Sequence, residues 1–188
     1  VLPAEKARRW HAMELAKTAI ELGARLSIVS AITGLPKWEL RLHFCNADLP
    51  APYIGRAPWS PDWYLKQKVV VEIHAAVFYA SFQAIRQLGY PASDALVTSY
   101  KCYLRRFGYD PRLSFDRAFE LVTHIDGLWT QRPPTLTTVA CRICGSAFVR
   151  KRERPIRSSQ CPFCKLARTT HGPTLKALRP AQTPGLSG

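Results

Sequence analysis

The chain reads as a mainly α protein, a multi-helix body followed by a small C-terminal module built on four cysteines. Three observations lead there. Apolar residues recur at three- and four-residue spacing as far as about residue 130, which is the helical period. Glycine and proline punctuate that stretch at intervals suited to helices rather than strands. Beyond it stand Cys141-Arg142-Ile143-Cys144 and Cys161-Pro162-Phe163-Cys164, two CxxC pairs with sixteen residues between them.

Each helix has its own signals. Residues 5–22 place Trp10, Met13, Ala16 and Ile20 on one face, and Gly23 offers a cap. A second helix is predicted from Ala24 to Thr33, stopped by Gly34. A third begins around Pro36, where a missing N–H costs nothing in a first turn. Prolines and a glycine between Leu49 and Pro61 mark a loop. Ser60-Pro61-Asp62 then supplies an N-cap, a first turn and a dipole-matched acid for one long helix toward Leu88, closed by Gly89. Leu65, Val69, Ile73, Ala76 and Ala80 share a face of it, and Val70, Val77 and Phe78 widen the apolar surface. A helix apolar on most sides is expected at the centre of a bundle or beneath a partner subunit. Ser93 is predicted to cap a helix through Arg106. Ser114 is predicted to cap another through Asp126, with Phe115, Ala118, Phe119, Val122 and Ile125 aligned and Gly127 at its end. The Gln131-Arg132-Pro133-Pro134-Thr135 segment marks a boundary. The expected organisation is a helical body over 1–132, a cysteine module over 133–170 on short β-like turns, and a mobile tail over 171–188.

The four cysteines point to a metal. A CxxC turn directs two thiolates at one point, and a second pair completes a tetrahedron, the ligand spacing of a four-cysteine zinc site. Gly145 frees the chain to reverse after the first pair. Four thiolates leave no open position for an activating water, so the expected ion is one structural Zn²⁺ per chain on Cys141, Cys144, Cys161 and Cys164. Two disulfides would require an oxidising compartment, and no signal-peptide pattern is seen. A redox CxxC normally accompanies a βαβ unit, which the sequence lacks. Cys45 and Cys102, in apolar helix-like stretches, read as buried thiols.

The charge is strongly positive and uneven. The chain carries a net +14, and residues 141–188 hold ten Lys/Arg against one Asp/Glu. Arg150, Lys151, Arg152, Arg154 and Arg157 lie between the two cysteine pairs, the footprint of a polyanion binder. Residues 26–44 also fit a helix-turn-helix. Ile28, Val29 and Ile32 would hold the first helix, Gly34 the turn, and Leu35, Leu40 and Phe44 the second helix. Lys37, Trp38 and Arg41 would then face outward as candidate DNA contacts, although such helix pairs also occur in bundles that never meet DNA.

No catalytic constellation competes. The five histidines are scattered, and neither HExxH nor a glycine-rich phosphate loop occurs. His74 reads as a satisfied core residue, and the chain as a non-enzyme. No uninterrupted apolar run is long enough to cross a bilayer; Val69 to Phe82 comes closest but contains Glu72 and His74. A cytoplasmic protein is expected.

Taken together, these residues resemble the FlhC family of flagellar master transcriptional regulators. The resemblance runs through Glu21-Leu22-Gly23-Ala24-Arg25-Leu26, Ser60-Pro61-Asp62-Trp63-Tyr64, His74-Ala75, the Tyr100 to Leu104 helix and the four terminal cysteines. It implies a DNA-binding subunit that works with a smaller helical partner, FlhD. The pair forms a hetero-oligomer, with a second copy of this chain, that bends promoter DNA and switches on flagellar operons. The family's zinc ligands carry over onto Cys141, Cys144, Cys161 and Cys164. Two other readings fit the same residues: a zinc-ribbon assembly subunit whose partner alone touches DNA, and an RNA-binding zinc protein.

Overall fold

Among the described residues, helices alone form the secondary structure as far as residue 126. The computed structural model describes residues 2–44, 62–65, 68–153 and 161–171. Within them run α1 (Leu2–Glu21), α2 (Leu26–Thr33), α3 (Lys37–Phe44), α4 (Asp62–Leu65), α5 (Val69–Gln87), α6 (Ala92–Phe107) and α7 (Phe115–Asp126). A two-stranded antiparallel sheet of β1 (Leu136–Ala140) and β2 (Ala147–Lys151) follows, and then α8 (Pro162–His171). The mainly helical body and the four-cysteine module are therefore both present. The expected loop before Pro61, the Ser60-Pro61 cap, Cys45, Arg154, Arg157 and the tail after residue 171 lie outside the described residues.

Several boundaries follow local chemistry. Gly34 closes α2 and Gly127 closes α7, both in the left-handed conformation, at φ 74° and 72°. The Ser114 hydroxyl caps α7 by accepting the Arg117 N–H at 3.3 Å. Ile28, Val29, Ile32, Leu35, Leu40 and Phe44 are all buried, so α2 and α3 pack as the sequence suggests, while Lys37, Trp38 and Arg41 are exposed.

Other expectations need correction. The helix after Pro61 is not continuous, because Lys68 is extended (ψ 152°) and α5 starts afresh behind it. Ser93 does not cap α6. That helix begins at Ala92 behind Pro91, and the Ser93 hydroxyl instead reaches Asp94. Trp10 is 71% exposed, although its neighbours Ala16 and Ile20 are buried against α2 and α6. Cys102 is exposed on α6, since Tyr100 and Tyr103 take the inward positions of that turn. On α5 the buried side is His74, Ala75, Phe78, Tyr79 and Phe82, and of the expected row Val69, Ile73, Ala76 and Ala80 only Ala76 is buried. An almost uniformly apolar helix carries too little contrast for its period to select a face.

The most fully buried helix is α7, while α5 packs on α6, α7, α8 and β2. Asp116 and Glu120 are buried on α7 beside the five predicted apolar residues. Asp116 is held from α2: its Oδ1 accepts the Arg25 backbone N–H at 3.1 Å and its Oδ2 the Arg25 Nε–H at 2.7 Å. Glu120 accepts from Arg117 Nη1 at 2.7 Å, and that guanidinium also lies over the Trp63 ring. On α6 an aromatic group of Tyr100, Tyr103 and Phe107 meets Phe78 and Phe115. The Tyr103 hydroxyl accepts the Arg112 and Leu113 N–H groups, both at 2.9 Å, which leaves its own proton for His74 Nδ1 at 2.8 Å. His74 is thus a satisfied core residue, and burial pushes its pKa down, in line with a neutral ring.

The module's hairpin is fastened to this body through both strands. Thr135 donates its N–H to the His124 carbonyl at 2.9 Å, and the Arg152 N–H returns to the Thr135 carbonyl at 2.9 Å. The Tyr64 hydroxyl donates to the Val149 carbonyl at 3.2 Å. Leu136 and Val149 belong to the body's own apolar core.

Asp116→Ala should lower unfolding free energy by about 2 kcal/mol, the cost of losing hydrogen bonds to a charged group, and urea titration reads it. Burial, opposed by Arg117, raises the Glu120 pKa from 4.5 to about 7. A carboxyl raised in the fold contributes stability that is full below its unfolded pKa and is lost as pH climbs through the folded one. Stability should therefore decline between pH 4.5 and 7, and Glu120→Gln should flatten that decline.

Candidate metal centre and its basic surface

The two CxxC pairs are built on different backbones. The first occupies the turn between β1 and β2, where the Cys141 N–H donates to the Ser146 carbonyl and the Gly145 N–H to the Cys141 carbonyl, each at 2.9 Å. Gly145 sits at φ 72°, the left-handed conformation expected of it. The second pair was expected on a β-like turn, but it opens a helix. Cys161 precedes α8, Pro162 takes its first position, and Cys164 lies in its first turn. A helix N-terminus favours negative charge, so this placement helps to hold two thiolates.

The four sulfurs converge. All lie within 4.8 Å of one another, with Cys144 Sγ 3.4 Å from Cys161 Sγ and Cys141 Sγ 3.9 Å from Cys164 Sγ. Disulfides are excluded by these separations, since bonded sulfurs stand about 2 Å apart. A tetrahedral ion with metal–sulfur bonds of about 2.3 Å requires sulfurs about 3.8 Å apart, close to what is found. The group could hold a metal ion.

Electrostatics favour the same reading. Backbone N–H groups of Cys144 and Ile143 point at the Cys141 sulfur and bring its pKa down to about 6. The Ser146 hydroxyl lowers that of Cys144 in the same way. Burial pushes the Cys161 and Cys164 thiols up. Two sulfurs are thus prepared as thiolates and two resist ionising, a conflict that a cation among them removes. Cys141, Cys161 and Cys164 are buried, whereas Cys144 is exposed.

The basic residues fall into two groups. Arg150 and Lys151 end β2, half-buried, with Arg152 exposed just beyond. Arg142, Lys165 and Arg168 are exposed within or close to the cysteine pairs, and the sequence reading did not single them out. Their proximity to the ligands was the available signal. Glu153 is the one acid among the described residues of this module, paired with Lys151 at 3.6 Å. Lys37, Trp38 and Arg41 lie elsewhere, on α3, which packs on α2 and is tied to α1 by the Arg9–Glu39 ion pair. The module packs instead on α5 and α7.

Comparison with known proteins agrees with this architecture. Residues 7–174 match the family model for the flagellar transcriptional activator FlhC. The chain belongs to the FlhC family. The flagellar transcriptional regulator FlhC of Sodalis glossinidius (strain morsitans) is 32% identical over 158 residues, covering 81% of this chain and 76% of the relative. That of Xenorhabdus nematophila is 31% identical over 160 residues (81% and 78%), and that of Serratia marcescens 28% over 158 (81% and 77%). Family membership supports a flagellar transcription activator. Among the described residues only α5 is long and apolar enough to span a membrane by length and composition, and it packs on α6, α7, β2 and α8.

Replacing any one of the four cysteines with serine should abolish stoichiometric metal binding. It should also open residues 136–171 to limited proteolysis while α1 and α2 stay resistant. A metal ion held there would stand in for a core that so short a module cannot build, and structural zinc contributes about 10–16 kcal/mol in small fingers. Metal analysis and fragment mapping check this.

Proposed function

We infer that this chain is the DNA-contacting subunit of a cytoplasmic flagellar activator complex, assembled with FlhD and a second copy of itself on promoter DNA. One observation carries the reading. Arg142, Lys165 and Arg168 are exposed within or next to the cysteine pairs, and Arg150, Lys151 and Arg152 stand at the other end of the same hairpin, with Glu153 as the acid among them. Zn²⁺ is the ion best suited to four thiolates in a closed tetrahedron, and there it would supply structure rather than chemistry. Cys141, Cys144, Cys161 and Cys164 would hold it. The two strands then keep the Arg150, Lys151 and Arg152 backbones in fixed register, with Arg152 exposed toward phosphates and Arg150 and Lys151 half-buried beside it.

Contacts of this kind give position and affinity more than base choice. Lys37, Trp38 and Arg41, exposed on the second helix of a helix-turn-helix-like pair, are a second proposed contact set. The outward side of α5 is the proposed seat of FlhD, because that helix retains uncovered apolar surface.

A second reading, in which FlhD alone touches DNA, is favoured by the half-burial of Arg150 and Lys151. Promoter binding by the reconstituted complex separates the two. Replacing Arg150, Lys151 and Arg152 together with alanine should weaken binding and lower the slope of log affinity against log salt by up to about 3. Unchanged affinity and slope would assign DNA contact to the partner.

A further inference from the structure

The four-cysteine site has an unusual neighbour. Cys141, Cys161, Cys164 and Phe148 form one buried apolar cluster with Ala76, a residue in the middle of α5. Val139 and Phe163 pack on the same cluster. Both β2 and α8 lie along α5, and Lys165 of α8 acts on the charge of Glu72, one turn before Ala76. The ligand sulfurs are therefore part of what α5 rests on. A small residue at 76 lets the cluster approach the helix backbone.

Next to Ala76 on α5 runs an apolar seam. Val70, Ile73, Val77, Ala80 and Ala84 follow at alternating intervals of three and four residues, the spacing of a helix–helix contact line. Val70 is 42% exposed, Ala80 and Ala84 are exposed, and Ile73 and Val77 are half-buried. Along the whole of α5 the buried residues are His74, Ala75, Ala76, Phe78, Tyr79 and Phe82, none of them on this seam. On the Ala76 side of the seam α8 brings Lys165 and Arg168, both exposed, which makes that flank basic, with Glu72 as the acid near Lys165. The fitting occupant is an amphipathic helix of a partner protein with small or aliphatic residues on its contact line and an acidic flank toward α8.

We propose that the four-cysteine module is a brace for α5, so that closure of the cysteines around their metal sets the conformation of the seam and thereby controls partner docking. The proposal rests on the partner reading given above and adds its regulation. With the ligands released, β2 and α8 lose the cluster that seats them on Ala76. The middle of α5 then loses its support on that side, while α1 and α2, which pack on each other and on α6, keep theirs.

Hydrogen exchange by mass spectrometry on the full chain, with and without a chelator, tests the brace, and retention on immobilised FlhD tests docking. Chelation should speed exchange over residues 69–82 by about tenfold while residues 5–33 change less than about twofold. FlhD retention should fall in parallel, and added Zn²⁺ should restore both. Ala76→Leu, which keeps all four thiols, should reproduce the effect with the metal still bound. Verified metal loss with no change in α5 exchange would overturn the brace, as would equal acceleration in α1 and α2. Val70→Glu with Val77→Glu addresses the seam separately. Undiminished FlhD retention by that metal-loaded variant would overturn docking on α5 and leave the exchange result to judge the brace.

Discussion

The structure turns on four sulfurs that have to be brought within 4.8 Å of one another. Thiolates at that distance repel, and burial raises the cost of ionising two of them. Without a cation the arrangement favours protonated thiols and a loose turn. With one, the β1–β2 turn and the N-terminus of α8 become a single unit, although sixteen residues separate the two cysteine pairs.

That unit does not stand apart from the helices. Leu136 and Val149 are shared with the body core, and Ala76 of α5 is shared with the cysteines. Thr135, bonded to His124, fixes the start of β1 against α7. Basic residues on the module are thereby held at a defined position relative to α5. In the proposed function such a connection keeps the DNA-contacting and partner-docking surfaces from drifting independently.

Legibility from sequence followed the range of the interaction. The cysteine ligands, the Ser114 cap and the left-handed Gly34, Gly127 and Gly145 were readable because each is decided within a few residues. The inward side of α5 was not. Val69 and Ile73 are strongly apolar, like Phe78 and Phe82, and only the location of α6 and α7 distinguishes them. The burial of Asp116 and Glu120 was hidden for a related reason, since Arg25 lies far off in sequence and Arg117 serves only when α7 is buried. The role of Ala76 could not be read at all, because a small residue in a helix announces nothing until its neighbour is known.

Whether the four sulfurs close on a single ion is decided by X-ray absorption at the metal edge of the purified protein, together with its metal content. One zinc per chain is expected, with four sulfur neighbours at about 2.3 Å and no nitrogen or oxygen ligand. A metal-free protein with oxidised cysteine pairs, or a coordination sphere containing nitrogen or oxygen, would contradict it.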